Sequence, residues 1–170
     1  MKKKDTVLGR WVEAVLSAYP EDSAALFQKQ RDPFANPLGH SVRKGTSGLL
    51  ECILHGMDPE EIRKHLDEIV RIRAVQQLAP SQALSFLFSL KPLLREALSE
   101  LPPGAQVSAE LAELDARIDR VALMAFDLYT ECREEVGQLR INEVKRQMGW
   151  VLEKMNQRDE TAGDAPAGLG

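Results

Sequence analysis

Arg31-Asp-Pro-Phe-Ala-Asn-Pro-Leu-Gly-His-Ser-Val-Arg-Lys-Gly45 carries two prolines within five residues and then opens a long helical pattern. Asn36 precedes Pro37, and a residue before proline is held out of the right-handed helical region, whereas proline suits the first helical position. Asn36 therefore reads as an N-cap and Pro37 as the first residue of a helix. Asp32-Pro33 makes the same offer one turn earlier. Phe34, the large apolar side chain between the two prolines, is expected to plug the core and pin the corner. Asp32, Pro33, Phe34, Asn36, Pro37 and Gly39 thus form a stop, a corner and a start, which makes the chain a sequence of helices joined by capped turns.

Working outward, residues 5–19 place Val7, Leu8, Trp11, Val12, Val15, Leu16 and Tyr19 at helical spacing, and Pro20 ends that helix. A short helix through Ala24, Ala25, Leu26 and Phe27 leads into the corner. After it, a helix from Pro37 to about His55 carries Leu38, Val42, Leu49 and Ile53 on an apolar stripe. Beside the stripe lies a ridge of small residues, Ser41, Gly45, Gly48 and Cys52. Two interior glycines cost about 1 kcal/mol each relative to alanine, so close approach of another helix or room for a small ligand should offset them. Lys44-Gly45-Thr46 is not a phosphate loop, whose order is Gly-Lys-Thr.

Gly56 reads as the residue that closes this helix, and Asp58-Pro59-Glu60-Glu61 as the next start, with Asp58 the cap and Glu61 in capping-box position. In that helix Ile62, Leu66 and Ile69 form a stripe in line with Arg73, which is expected either to snorkel or to meet a buried carboxylate or an anionic ligand. Ser41, Gly45, Gly48 and Arg73 are therefore the candidate ligand-binding residues. Residues 81–100 are apolar around most of the circumference, the mark of a helix packed on several sides; Pro92 inside it predicts a kink, and Leu101-Pro-Pro-Gly104 ends it.

From Ser108 to about Gln157 no proline interrupts the pattern. Leu111, Leu114, Ile118, Val121, Ala125, Leu128, Tyr129, Cys132, Val136 and Leu139 share one face, expected to join the core. Ile141, Val144, Met148, Val151 and Met155, spaced 3, 4, 3, 4, share another face, the a/d seam of a coiled coil. That seam predicts a homodimer through the C-terminal helix. The small-residue tail from 158 to 170 is expected to be disordered, with a single helical domain over residues 1–157 whose C-terminal helix extends beyond the bundle.

At 170 residues, 44% hydrophobic and 28% charged, with net charge −4 and pI near 5.5, the chain suits one soluble domain and not a nucleic-acid binder. Its longest apolar runs fall short of the roughly 20 residues of a membrane span. Cys52 and Cys132 show no pairing motif, so a reducing cytoplasm is expected. His40, His55 and His65 lack recognised metal spacing, Cys52 and His55 lack the third group of a nucleophilic site, and nothing calls for haem. No cofactor, metal or catalytic residue is expected.

Trp11, Tyr19-Pro20, Asp32-Pro-Phe-Ala-Asn-Pro-Leu-Gly39 and Pro80-Ser-Gln-Ala-Leu-Ser-Phe-Leu-Phe-Ser-Leu-Lys91 together resemble the N-terminal domain of RsbRD-type RsbT co-antagonist proteins over roughly residues 5–145. The resemblance implies an all-α bundle of about five to six helices, with globin-like packing as the alternative arrangement. It also implies a sensory or input module of stressosome-like or two-component signalling. Such modules are commonly joined to a phosphoacceptor or kinase domain, and the loose tail here leads us to expect a free-standing sensory or adaptor domain acting through protein contacts. A helical domain holding haem or an anionic ligand is the alternative.

Overall fold

The computed structural model describes residues 2–17, 36–76, 78–99 and 104–163. It is all-α, with α1 Lys2–Ser17, α2 Pro37–Glu51, a single π-helical turn Cys52–Gly56, α3 Pro59–Val75, α4 Pro80–Leu98 and α5 Ala105–Gly163. Among the described residues there is no strand. The expected helix through Ala24 to Phe27 lies outside the described residues, as do Asp32, Pro33 and Phe34.

The second half of the corner is built as its residues dictate. Asn36 stands outside the helix, and its Oδ1 accepts the Gly39 amide at 2.8 Å, with Pro37 opening α2. Gly39 has to be glycine, because a Cβ there would stand 2.3 Å from the Asn36 side chain that makes the cap. Asp58 caps α3 in the same manner, but its carboxylate accepts from Glu60. Glu61, expected to complete a capping box, instead faces Lys64 and His65 along its own helix.

The end of α2 departs from expectation. Gly56 does not take the left-handed conformation; Met57 does, at φ 69°, and its amide reaches back to the Cys52 carbonyl at 2.9 Å. The π turn holds one more residue than an α turn would, so the chain reverses one position later. Arg117 of α5 meets the carbonyls of this turn: its Nη1 donates to Ile53 at 3.0 Å and to Leu54 at 3.4 Å.

That contact is one of four with a common logic. The last carbonyls of a helix have no amide partner within it and carry partial negative charge. Here a cation from elsewhere in the chain meets them. Arg73 donates to Val15 near the end of α1, Arg117 to the turn that ends α2, Arg133 to Ala74 at the end of α3, and Lys3 to Ala97 at the end of α4.

The α2 and α3 helices form a hairpin, since the facing pairs Lys44 with Glu68 and Gly48 with His65 run in opposite directions. α1 packs on both α2 and α4, and α4 touches α3. One core results, with Trp11, Leu49, Ile53, Leu66, Ile69, Leu87, Leu90 and Ile118 fully buried. The α4 helix continues through Pro92 to Leu98.

The chain divides into two compact units, Met1–Arg133 and Glu134–Gly170. The helical state also persists to Gly163, past the expected start of the tail at 158. In the first unit Ile118, Val121, Ala125, Leu128, Tyr129 and Cys132 are buried, the Ile, Val and Leu side chains contributing roughly 1.5–3 kcal/mol each. Leu139, placed by periodicity on the same row, is exposed; the row serves the core only as far as Cys132.

Candidate functional site

Gly45 and Gly48 are the close-approach glycines of the α2–α3 hairpin. A Cβ on Gly45 would meet the His65 carbonyl oxygen at 2.8 Å and Ile69 Cγ1 at 3.0 Å, and one on Gly48 would fall within 2.4 Å of the His65 imidazole. The space beside both glycines is therefore filled by α3, and the ridge that could have held a ligand packs a helix. Ser41, at its upper end, is half-buried.

Arg73 does not snorkel. It is completely buried, with Nη1 donating to the Ala83 carbonyl at 2.8 Å, Nη2 to Val15 at 2.7 Å, and the guanidinium centre 4.8 Å from the Phe86 ring centroid. Phe86 is in turn stacked on Trp11, whose Nε1 donates to the Phe86 carbonyl at 2.7 Å. Trp11, Arg73 and Phe86 thus clamp α1, α3 and α4 together. The planar fork of arginine satisfies two carbonyls on separate helices, which a lysine could not do.

Cys52 is half-buried in the π turn, and burial first, then the carboxylates of Glu61, Asp58 and Glu51, push its pKa up. It stays a thiol at neutral pH, the opposite of what a nucleophile or metal ligand needs. His55 is exposed near Glu51. Among the described residues no three His, Cys, Asp or Glu side chains come together as a metal site.

Each unit carries a cluster of exposed apolar side chains. In the second unit Ile141, Val144, Met148 and Met155 are all at least half exposed; the side chain of Val151 lies outside the described residues. Leu152 adjoins them, and Trp150 lies on the opposite side with Lys154 Nζ 4.7 Å from its ring centroid. In the first unit Phe88 of α4 and Leu123 and Phe126 of α5 are 49%, 69% and 51% exposed. They border a groove of about 830 Å³ floored by Leu84 and Ala122. Sequence reasoning missed this second face. Leu123 and Phe126 sit inside the apolar run Val121 to Phe126, and a run that is apolar on two sides does not reveal which side meets the core.

A helical bundle whose buried Trp11 and Arg73 tie its helices together belongs to the class of all-α domains. The chain matches the family model of the RsbT co-antagonist protein rsbRD N-terminal domain over residues 5–144 and belongs to that family. This makes it a signalling-related domain. The match spans the whole first unit apart from its first residues and ends at Val144. No curated protein and no solved structure matches the chain. No helix among the described residues is long and apolar enough to cross a membrane.

Proposed function

We propose that this chain is a non-catalytic input or adaptor domain of a cytoplasmic signalling system, and that it works by protein contacts, first among them a homodimer through the C-terminal helix. The observation that carries the reading is the exposure of Ile141, Val144, Met148 and Met155. They recur at 3- and 4-residue spacing on a helix whose other sides are largely polar. A strip of that kind is stable in water when a second helix covers it.

Two heptads make a short seam, marginal as an isolated peptide, so its association should be concentration-dependent. The test is sedimentation of the full chain beside a Val144→Glu, Met148→Glu variant. The proposal expects the variant to lose mass while its far-ultraviolet spectrum and melt stay those of the parent. An unchanged mass across the concentration series would overturn it.

A further inference from the structure

The groove between α4 and α5 has a charge pattern that selects its occupant. Between Glu113 and Arg133, α5 carries eight charged side chains, and six are engaged within the chain. Glu113 pairs with Arg117, Asp115 with Arg95, Asp119 with Lys91 and Glu131 with Arg63, while Arg133 holds the Ala74 carbonyl. Arg120 and Asp127 are the other two; both are exposed, and no ion pair or hydrogen bond among the described residues joins either.

These two charges flank the two most exposed apolar residues of the same unit's α5, Leu123 and Phe126. At about 100° per residue, a seven-residue separation leaves Arg120 and Asp127 within about 20° of each other on one flank of the helix, roughly 10 Å apart along it. The midpoint of Arg120 and Asp127 falls between residues 123 and 124, and that of Leu123 and Phe126 between 124 and 125. The sign of the charge inverts about the centre of the apolar pair.

A surface of this kind complements itself. Turned about a two-fold axis beside residue 124, α5 of a second copy runs antiparallel to the first. Its Leu123 and Phe126 then enter the groove beside Phe88, and its Asp127 stands against Arg120, with the reciprocal pair formed at the same time. Antiparallel packing brings like flanks together, which is what both charges on one flank require. An arbitrary partner would have no reason to match this antisymmetry.

We infer that the α4–α5 face of the first unit is an isologous interface between two copies of this chain, centred on Leu123 and Phe126 and keyed by reciprocal Arg120–Asp127 ion pairs. It is separate from the seam of the second unit and does not depend on it. Few side chains are involved, so the contact belongs with small, transient interfaces.

The experiment is run on the full chain carrying Val144→Glu and Met148→Glu, which removes the seam, with sedimentation equilibrium over a concentration series. This background is expected to self-associate still. Adding Arg120→Asp or Asp127→Arg alone should weaken association about tenfold or more, through two like-charge contacts per dimer. The double exchange Arg120→Asp, Asp127→Arg should restore it. Leu123→Asp should leave a monomer of unchanged helical content, since that side chain is mostly exposed. A background that is monomeric at every concentration overturns the inference, and so does a double exchange no better than either single one. A seam that proves irrelevant would show instead as an unaltered mass on introducing Val144→Glu and Met148→Glu, with the charge-exchange results intact.

Discussion

The two tryptophans show how differently the two units use the same kind of residue. Trp11 is wholly buried, its indole N–H satisfied by the Phe86 carbonyl and its ring stacked on Phe86. Trp150 is 61% exposed, and Lys154 lies over its ring. Both stand on helices with clear apolar periodicity. The difference is what the rest of the chain brings to them: five helices supply the first unit with a core, whereas the second is a stretch of α5 whose apolar faces meet water. Periodicity states that a face needs covering, and the fold decides whether the chain itself does so.

The sharpest way to break this contrast is to make the same substitution at both. Trp11→Ala should cost about 3–5 kcal/mol, and Trp150→Ala should leave the thermal melt within about 0.5 kcal/mol of the parent. Equal effects on the two melts would show that Trp150 belongs to a packed core.

The next effect concerns Arg73, whose two carbonyl partners lie on different helices. Arg73→Leu removes charge-assisted bonds worth about 1.5–3 kcal/mol each in comparable settings and should lower the denaturant midpoint clearly. Arg73→Lys, reaching one carbonyl at most, should recover only part of the loss. Full recovery by lysine would mean that charge, and not the fork, is what the site uses.

Gly45→Ala is smaller and tests the hairpin. Alanine should gain about 1 kcal/mol in helix propensity, but its Cβ would press on the His65 carbonyl oxygen 2.8 Å away, and overpacking of this kind costs about 1–3 kcal/mol. Net destabilisation is expected in a urea melt. A stabilised variant would place Gly45 in open space and return the ridge to the candidate ligand sites.

Smallest is a pH effect on the first unit. The hydrogen bond from Lys4, and then its charge, hold the Glu51 carboxyl below its ordinary range. A carboxylate with a lowered folded pKa adds stability above its ordinary value, and that stability disappears as pH falls through the lowered one. The pair is exposed, so the effect is slight. The difference in melting temperature between the parent and Lys4→Met should be present at pH 6 and should shrink as pH falls below the ordinary carboxylate range; a difference unchanged on acidification would separate the contact from its charge.

Much of the architecture was legible from residues alone, and for physical reasons. Asn36-Pro37 and Asp58-Pro59 are local devices, so the caps they predict are where the structure has them. The rows Ile118 to Cys132 and Ile141 to Met155 follow from helical spacing. The end of α2 was not legible, because its turn is met by Arg117, some sixty residues later, which local sequence does not announce. Glycine at 56 was the better local choice, and the chain reverses at Met57 instead. The role of Arg73 was legible only as an anomaly: its place in the apolar stripe marked it, but its partners on α1 and α4 come from folding. The α4–α5 groove was hidden by α5 being apolar on more than one side.

The central claim is that the row Ile118 to Cys132 of α5 is covered by its own chain and the row Ile141 to Met155 by another molecule. Amide hydrogen exchange of the full chain at two protein concentrations, differing about a hundredfold, tests it most directly. The account predicts slow exchange for residues 118–132 already at the lower concentration, because core amides open only with the unit itself, and exchange at residues 141–155 that is fast there and slows markedly at the higher concentration. Protection of residues 141–155 that is as strong as that of 118–132 and the same at both concentrations would contradict it.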